Sequence, residues 1–202
     1  MIKKFLVAAL TAAVFASSAE ALSVKHDFTA FVGPFNASTA EFEYTLTKKS
    51  YAVRSVVRTN GTFGFLYPFE ANYYTGGSIE GDRLETSAYR YTSQSRFNKR
   101  SKVMIYNEDG QPVFAVSSKN GREKKKEIEA TADSKNTTNL QTVLAAIARQ
   151  YNQVGFCDSR IPIFDGKRRF DAIFRDEGKE EIKANEYSAF AGRAAKCSMY
   201  ID

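Results

Sequence analysis

Glu41-Phe42-Glu43-Tyr44-Thr45-Leu46-Thr47 alternates with a period of two: Phe42, Tyr44 and Leu46 share one face of an extended chain, and Glu41, Glu43 and Thr45 the other. This is the pattern of a strand with one face in a core and one in water. After the polar connection Lys48-Lys49-Ser50 it recurs, with Val53, Ser55 and Val57 alternating with Arg54, Val56 and Arg58, so a hairpin follows. Upstream, residues 23–39 read as a leading strand interrupted by a turn at Gly33-Pro34.

Downstream of the turn dipeptide Asn60-Gly61, residues 63–74 are the most aromatic run in the chain, broken by Pro68. Gly76-Gly77 and Gly81-Asp82 bracket a strand edge, and residues 86–95 place Tyr89 and Tyr91 opposite Ala88 and Arg90. Residues 99–107 and 111–118 flank Asn107-Glu108-Asp109-Gly110, a turn in which glycine supplies a positive φ. The first arm of that hairpin sets Val103 and Ile105 against Lys102, Met104 and Tyr106. Residues 119–129, with Lys124-Lys125-Lys126, read as a solvated loop or strand extension.

One helix interrupts this series. Leu140, Val143, Leu144, Ile147 and Tyr151 form a single apolar stripe, Thr138-x-x-Gln141 offers a capping box, and Gly155 can close the helix. The stripe predicts a helix that packs on the sheet or plugs its open end. Strands then return: residues 159–164, a two-residue turn at Asp165-Gly166, residues 167–175, a turn at Asp176-Glu177-Gly178, residues 180–187, and a last strand over 194–201. The chain stops inside that last alternating strand, which predicts either a terminus used as a sheet edge or further strand material beyond Asp202. The sum is a mainly β protein, a curved antiparallel sheet or partly closed β-barrel with one amphipathic helix.

Residues 1–21 read differently. Lys3 and Lys4, the apolar run from Phe5 to Phe15 and Ala19-Glu20-Ala21 have the three parts of an export signal, with cleavage expected between Ala21 and Leu22. Residues 22–202 then form one β-rich domain in the periplasm, and no later segment is apolar for long enough to anchor it in a bilayer. Export also bears on Cys157 and Cys197, which an oxidising compartment is expected to join.

A net charge of +6, with 16 Phe, 11 Tyr and no Trp, fits a pleated, aromatic-rich sheet of mildly basic surface. Phospholipid head groups and envelope glycans suit such a surface. Nucleic acid does not, because no nucleic-acid module is recognisable. No cofactor is called for: there is no GxSxG elbow, phosphate-binding loop, HExxH or EF-hand pattern. The only histidine, His26, lies in the leading strand and reads as a surface residue. Asp165 and Asp171 could pair as catalytic carboxylates, but they read more simply as a turn residue and an ion-pair partner of Arg160 or Arg169.

The aromatic runs read first as sheet core and cross-strand pairs, and the basic cluster as a solvated face, but tyrosine beside polar residues can also build a stacking platform or the mouth of an apolar cavity. The candidate ligand-binding residues are therefore Tyr67, Tyr73, Tyr74, Tyr89 and Tyr91, with Arg96, Lys99 and Arg100 from the basic cluster that also contains Lys102.

Several stretches together resemble an exported bacterial family catalogued as domain of unknown function 3108. The resemblance is carried by Gly76-Gly77-Ser78-Ile79 with Tyr89-Arg90-Tyr91, by Arg96 and Lys99-Arg100-Ser101-Lys102-Val103, and by the helix over 139–149. It is most specific in Ile161-Pro162-Ile163-Phe164-Asp165-Gly166-Lys167-Arg168-Arg169-Phe170-Asp171, followed by Phe190-Ala191-Gly192-Arg193-Ala194-Ala195-Lys196-Cys197. It implies a periplasmic, mostly antiparallel β-protein and no established activity, so no catalytic residues carry over. The leading expectation is a non-enzymatic binding or carrier protein for an amphiphilic envelope component. The alternative is a structural or assembly factor that docks on envelope proteins or glycans. A hydrolase working without histidine comes third.

Overall fold

The computed structural model describes residues 21–81, 83–129, 131, 133–185 and 190–202, so the expected export signal lies outside the described residues except for Ala21. The elements are β1 (Leu22–Val32), β2 (Phe35–Leu46), β3 (Ser50–Thr59), α1 (Gly61–Leu66), β4 (Phe69–Glu80), β5 (Arg83–Ser95), β6 (Lys99–Tyr106), β7 (Pro112–Lys119), β8 (Arg122–Glu127), α2 (Leu140–Val154), β9 (Ser159–Phe164), β10 (Arg169–Ile182) and β11 (Gly192–Ile201). Strands β1 to β8 form one antiparallel meander in chain order. A second sheet has the order β11-β10-β9. The large sheet is curved but open, with β1 and β8 as its two edges, so of the two expected forms it is the curved sheet and not the partly closed barrel.

Register irregularities mark where the sheet bends. One lies between Gly76 and Gly77, inside β4 rather than at the strand edge expected from the sequence. A Cβ on Gly77 would sit 1.9 Å from the Glu85 carbonyl oxygen, so only glycine lets β4 and β5 approach this closely. Further irregularities follow Ala30 and Ile105.

The sequence expectation differs from the structure at three other places. Asn60-Gly61 opens the short helix α1, ahead of Pro68, instead of a simple turn. The hairpin between β9 and β10 pairs Phe164 with Arg169 and therefore has a four-residue connection, 165–168, in which Asp165 Oδ1 accepts from the amides of Lys167 and Arg168. Asp176-Glu177-Gly178 is a bulge that β10 passes through, because its pairing with β11 resumes at Lys179. In β6 the buried side chains are Met104 and Tyr106, while the aliphatic Ile105 is 48% exposed.

Helix α2 lies against β3, β4 and β5 on one side and the small sheet on the other. Val143 packs with Ile163, Ala172 and Phe174, and Ala145 with Tyr51 and Val53. A third cluster, Met104, Tyr106, Ala115, Ile128 and Phe164, joins β6 and β7 to β9. The segment before the helix is stitched to β9 by Thr138 N–H donating to the Pro162 carbonyl (3.0 Å) and Phe164 N–H to the Thr138 carbonyl (3.0 Å). Gly155 closes α2 at φ 78°, as the sequence suggests.

Cys157 and Cys197 are joined, tying the loop after α2 to β11 across a separation of 40 residues. The bonded sulfurs lie beside Asp176, but a disulfide has no thiolate to offer a metal ion. Closing a loop of this length is worth about 3 to 4 kcal/mol in the chain-entropy account. Cys197→Ser is accordingly expected to lower unfolding stability by about that amount, measured by urea titration of the oxidised protein. A loss under about 0.5 kcal/mol would contradict it.

Candidate functional site

The pairing registers place side chains in rows across the inner face of the large sheet. One row runs Phe42, Ser55, Tyr73, Tyr91, Lys102, Ser117 and Lys124 from β2 to β8. The row above it runs Tyr44, Val53, Thr75, Tyr89, Met104, Ala115 and Lys126. The row below it ends in Ser93, Arg100, Lys119 and Arg122. Opposed residues in a ladder point to the same face. That face therefore grades from aromatic and aliphatic on β2 to β5 to cationic on β6 to β8.

Helix α2 roofs the middle of this face, and a polar cluster fixes its height. Asn139 caps the helix, its side chain accepting from the amides of Gln141 and Thr142; the cap is Asn139, not the Thr138 box suggested by the sequence. Thr75 Oγ1 lies 3.1 Å from Asn139 Oδ1 and 2.9 Å from Gln141 Oε1, and Gln141 Nε2 donates to Ser55 Oγ at 2.6 Å. The hydroxyls of Tyr51, Thr86 and Thr142 lie 2.8 to 3.0 Å apart. All of these side chains are buried. The expected apolar stripe is consequently rotated: Gln141, Thr142, Val143 and Ala145 are the buried helix residues, while Leu140 is 49% exposed.

Because polar bonds anchor the first turn, Leu140 and Leu144 overhang the sheet without filling the space below. The result is an open groove of about 670 Å³. Phe42, Val57, Tyr73, Tyr89, Tyr91 and Met104 form its floor, Leu140 and Leu144 its roof, and Ile163, Phe164 and Phe170 its far wall. Tyr73 and Tyr91 are in ring contact at 4.9 Å. Burial pushes the Tyr73 and Tyr89 hydroxyls above their ordinary value, so both stay neutral.

Lys102 stands at the mouth, donating to the backbone carbonyl of Asp165. Burial holds its ammonium below the usual lysine range, offset in part by the Asp165 carboxylate, with Lys167 and Lys126 adding to the depression. Tyr91, Lys102 and Lys167 also line a second groove of about 850 Å³, whose cations include Arg100, Lys119, Arg122, Lys124 and Lys126. The apolar and cationic grooves are thus continuous.

Of the candidates read from the sequence, Tyr73, Tyr89 and Tyr91 meet in the apolar groove and Arg100 in the cationic one. Tyr74, opposed to Arg54 and Arg90, lies with them in a cleft of the other face. Tyr67 follows α1 and is 72% exposed. Arg96 and Lys99 line a separate cleft at the end of the sheet with Arg58 and Phe69. Asp171 Oδ2 accepts from Arg160 at 2.7 Å, in line with its ion-pair reading. The sequence reading did not single out Phe42, Met104 and Phe170 for this site, and it joined Lys124 to Lys126 to the basic cluster only as one end of the sheet. The alternation of Lys124 and Lys126 with Lys125 was the available signal.

The family model described as a protein of unknown function (DUF3108) matches residues 27–199, and the chain belongs to that family. No curated protein and no solved structure matches it.

The polar cluster carries a stability prediction. Gln141→Leu leaves Ser55 and Thr75 short of partners in a buried setting and is expected to cost about 1 to 3 kcal/mol. Asn152→Leu, on the exposed side of the same helix, should stay within about 0.5 kcal/mol of the unaltered protein. Equal losses in urea unfolding would show that the cluster is not what holds the helix.

Proposed function

We propose that this chain is an exported, non-enzymatic binding or carrier protein for an anionic amphiphile of the cell envelope. The observation that carries the reading is the graded inner face, aromatic at one side and cationic at the other, under a helix that leaves room between. An acyl chain suits the apolar groove, whose lining is dominated by aromatic and aliphatic side chains. A phosphate or carboxylate head suits the adjoining cations. Lys102 is the hinge between the two: its carbonyl partner occupies one of three ammonium protons, leaving donors for a guest. A groove open along one side also lets a long chain enter sideways rather than end-on. A second reading, a factor that docks envelope proteins or glycans, is favoured by β1, an edge strand exposed along almost its whole length.

The test uses two amphiphiles of one chain length, an anionic alkyl phosphate and the corresponding neutral alcohol, in calorimetric titrations. The phosphate is expected to bind more tightly, and Lys102→Met to weaken it by about 10- to 100-fold, the worth of a charge-assisted hydrogen bond, with little change for the alcohol. Affinity for the phosphate should fall as pH rises through the depressed Lys102 pKa, because the ammonium form binds the anion. Lys102→Arg stays charged and should not show that fall. Equal affinity for both amphiphiles in all three proteins would refute the reading.

A further inference from the structure

The end of the sheet where β1 turns into β2 and β5 into β6 carries a second apolar surface, away from the aromatic floor of the groove but bordered by Arg100, Lys119 and Arg122, which the cationic groove also uses. Val32 (55%), Phe35 (57%), Phe65 (77%), Leu66 (51%), Tyr67 (72%) and Phe97 (80%) are exposed there. They come from three separate connections that the meander brings side by side: the β1–β2 turn, helix α1 between β3 and β4, and the β5–β6 turn. Contacts lock these connections together. Asn60 N–H donates to the Ala37 carbonyl at 3.0 Å, Arg96 Nη2 to the Phe65 carbonyl at 3.0 Å, and Asn120 Nδ2 to the Phe97 carbonyl at 3.4 Å. The rim is thus a built edge and not a scatter of surface residues.

Cations border it. Arg96 and Lys99 lie within or beside the β5–β6 turn, and Arg100, Lys119 and Arg122 form the adjoining end of the sheet, all exposed. Among the described residues none of Lys99, Arg100, Lys119 and Arg122 is taken up in an ion pair.

We infer that this rim docks on the surface of an anionic lipid bilayer. Aromatic and aliphatic tips beside Lys and Arg suit the boundary between head groups and acyl chains, where rings sit at head-group depth and cations meet lipid charge. The cations lie together along the β5 to β8 side of the apolar tips, as a charged border facing lipid head groups requires. No helix among the described residues is long and apolar enough to cross a membrane.

The chain contains no tryptophan, so a single introduced one reports its own surroundings. Phe97→Trp places it on the rim. Phe156→Trp places it past the end of α2, whose Arg149 reaches the Gly81 carbonyl at the opposite end of the sheet. Both full-length variants are mixed with vesicles of phosphatidylcholine alone or with phosphatidylglycerol, with brominated acyl chains as quencher. With anionic vesicles the emission of Phe97→Trp is expected to move to the blue and be quenched, while Phe156→Trp stays unchanged. Zwitterionic vesicles should do neither. Adding Lys119→Gln or Arg122→Gln to Phe97→Trp should weaken the response about fivefold per charge removed. Equal quenching at both positions, as insertion of the first twenty residues alone would give, overturns the inference. So does a rim signal that appears with an envelope protein fraction and not with lipid, which would assign the rim to a protein.

Discussion

The polar cluster between the first turn of α2 and the inner face of the sheet is the constraint on which the site rests. A helix settled on a sheet by apolar contacts alone would sink until its stripe met the floor, because interiors pack to near-crystalline density. Here Gln141, Thr142 and Asn139 must reach Ser55, Thr75, Thr86 and Tyr51 at hydrogen-bond distance, and burial makes leaving any of them unpaired costly. Directional bonds fix both height and rotation. The leucines of the helix are consequently held over the aromatic floor with a gap beneath, and a groove exists where the sequence alone would put a core.

One open edge of the large sheet, β8, is protected by charge. β8 carries Arg122, Glu123, Lys124, Lys125, Lys126 and Glu127 on both faces, and such charge discourages another strand from pairing. Of these, Arg122, Lys124 and Lys126 also face inward and join Arg100, Lys102 and Lys119 in the cationic part of the inner face. One stretch of sequence thus serves edge protection and charge placement, which accounts for a strand with no apolar residue at all.

The strand content, the turn at 107–110, the helix and the disulfide were legible because each depends on local pattern: alternation, a glycine of positive φ, a 3.6-residue stripe, two cysteines. What depends on long-range pairing was not. Tyr73, Tyr91 and Lys102 become neighbours only through the registers of β4, β5 and β6, and a slip of one residue would send each to the other face. Tyr74, beside Tyr73 in the same strand, points to the other face, and Tyr67 lies outside the strands, at the end of α1. The stripe of α2 misled because the helix buries polar residues that have partners, which hydrophobic periodicity does not register. In sequence Gly76-Gly77 reads as punctuation, whereas the Glu85 carbonyl pressing on Gly77 makes it a point of bending.

The central claim is that the space between α2 and the aromatic floor receives an acyl chain. Methyl-resolved NMR during titration with an anionic alkyl phosphate tests it at the walls themselves. The account predicts that the methyls of Met104, Leu140, Leu144 and Ile163, which line the groove, shift progressively and saturate, while those of Val143, buried on the helix's packed side, barely move. Shifts confined to methyls outside the groove, or no saturable shift at its walls, would contradict it.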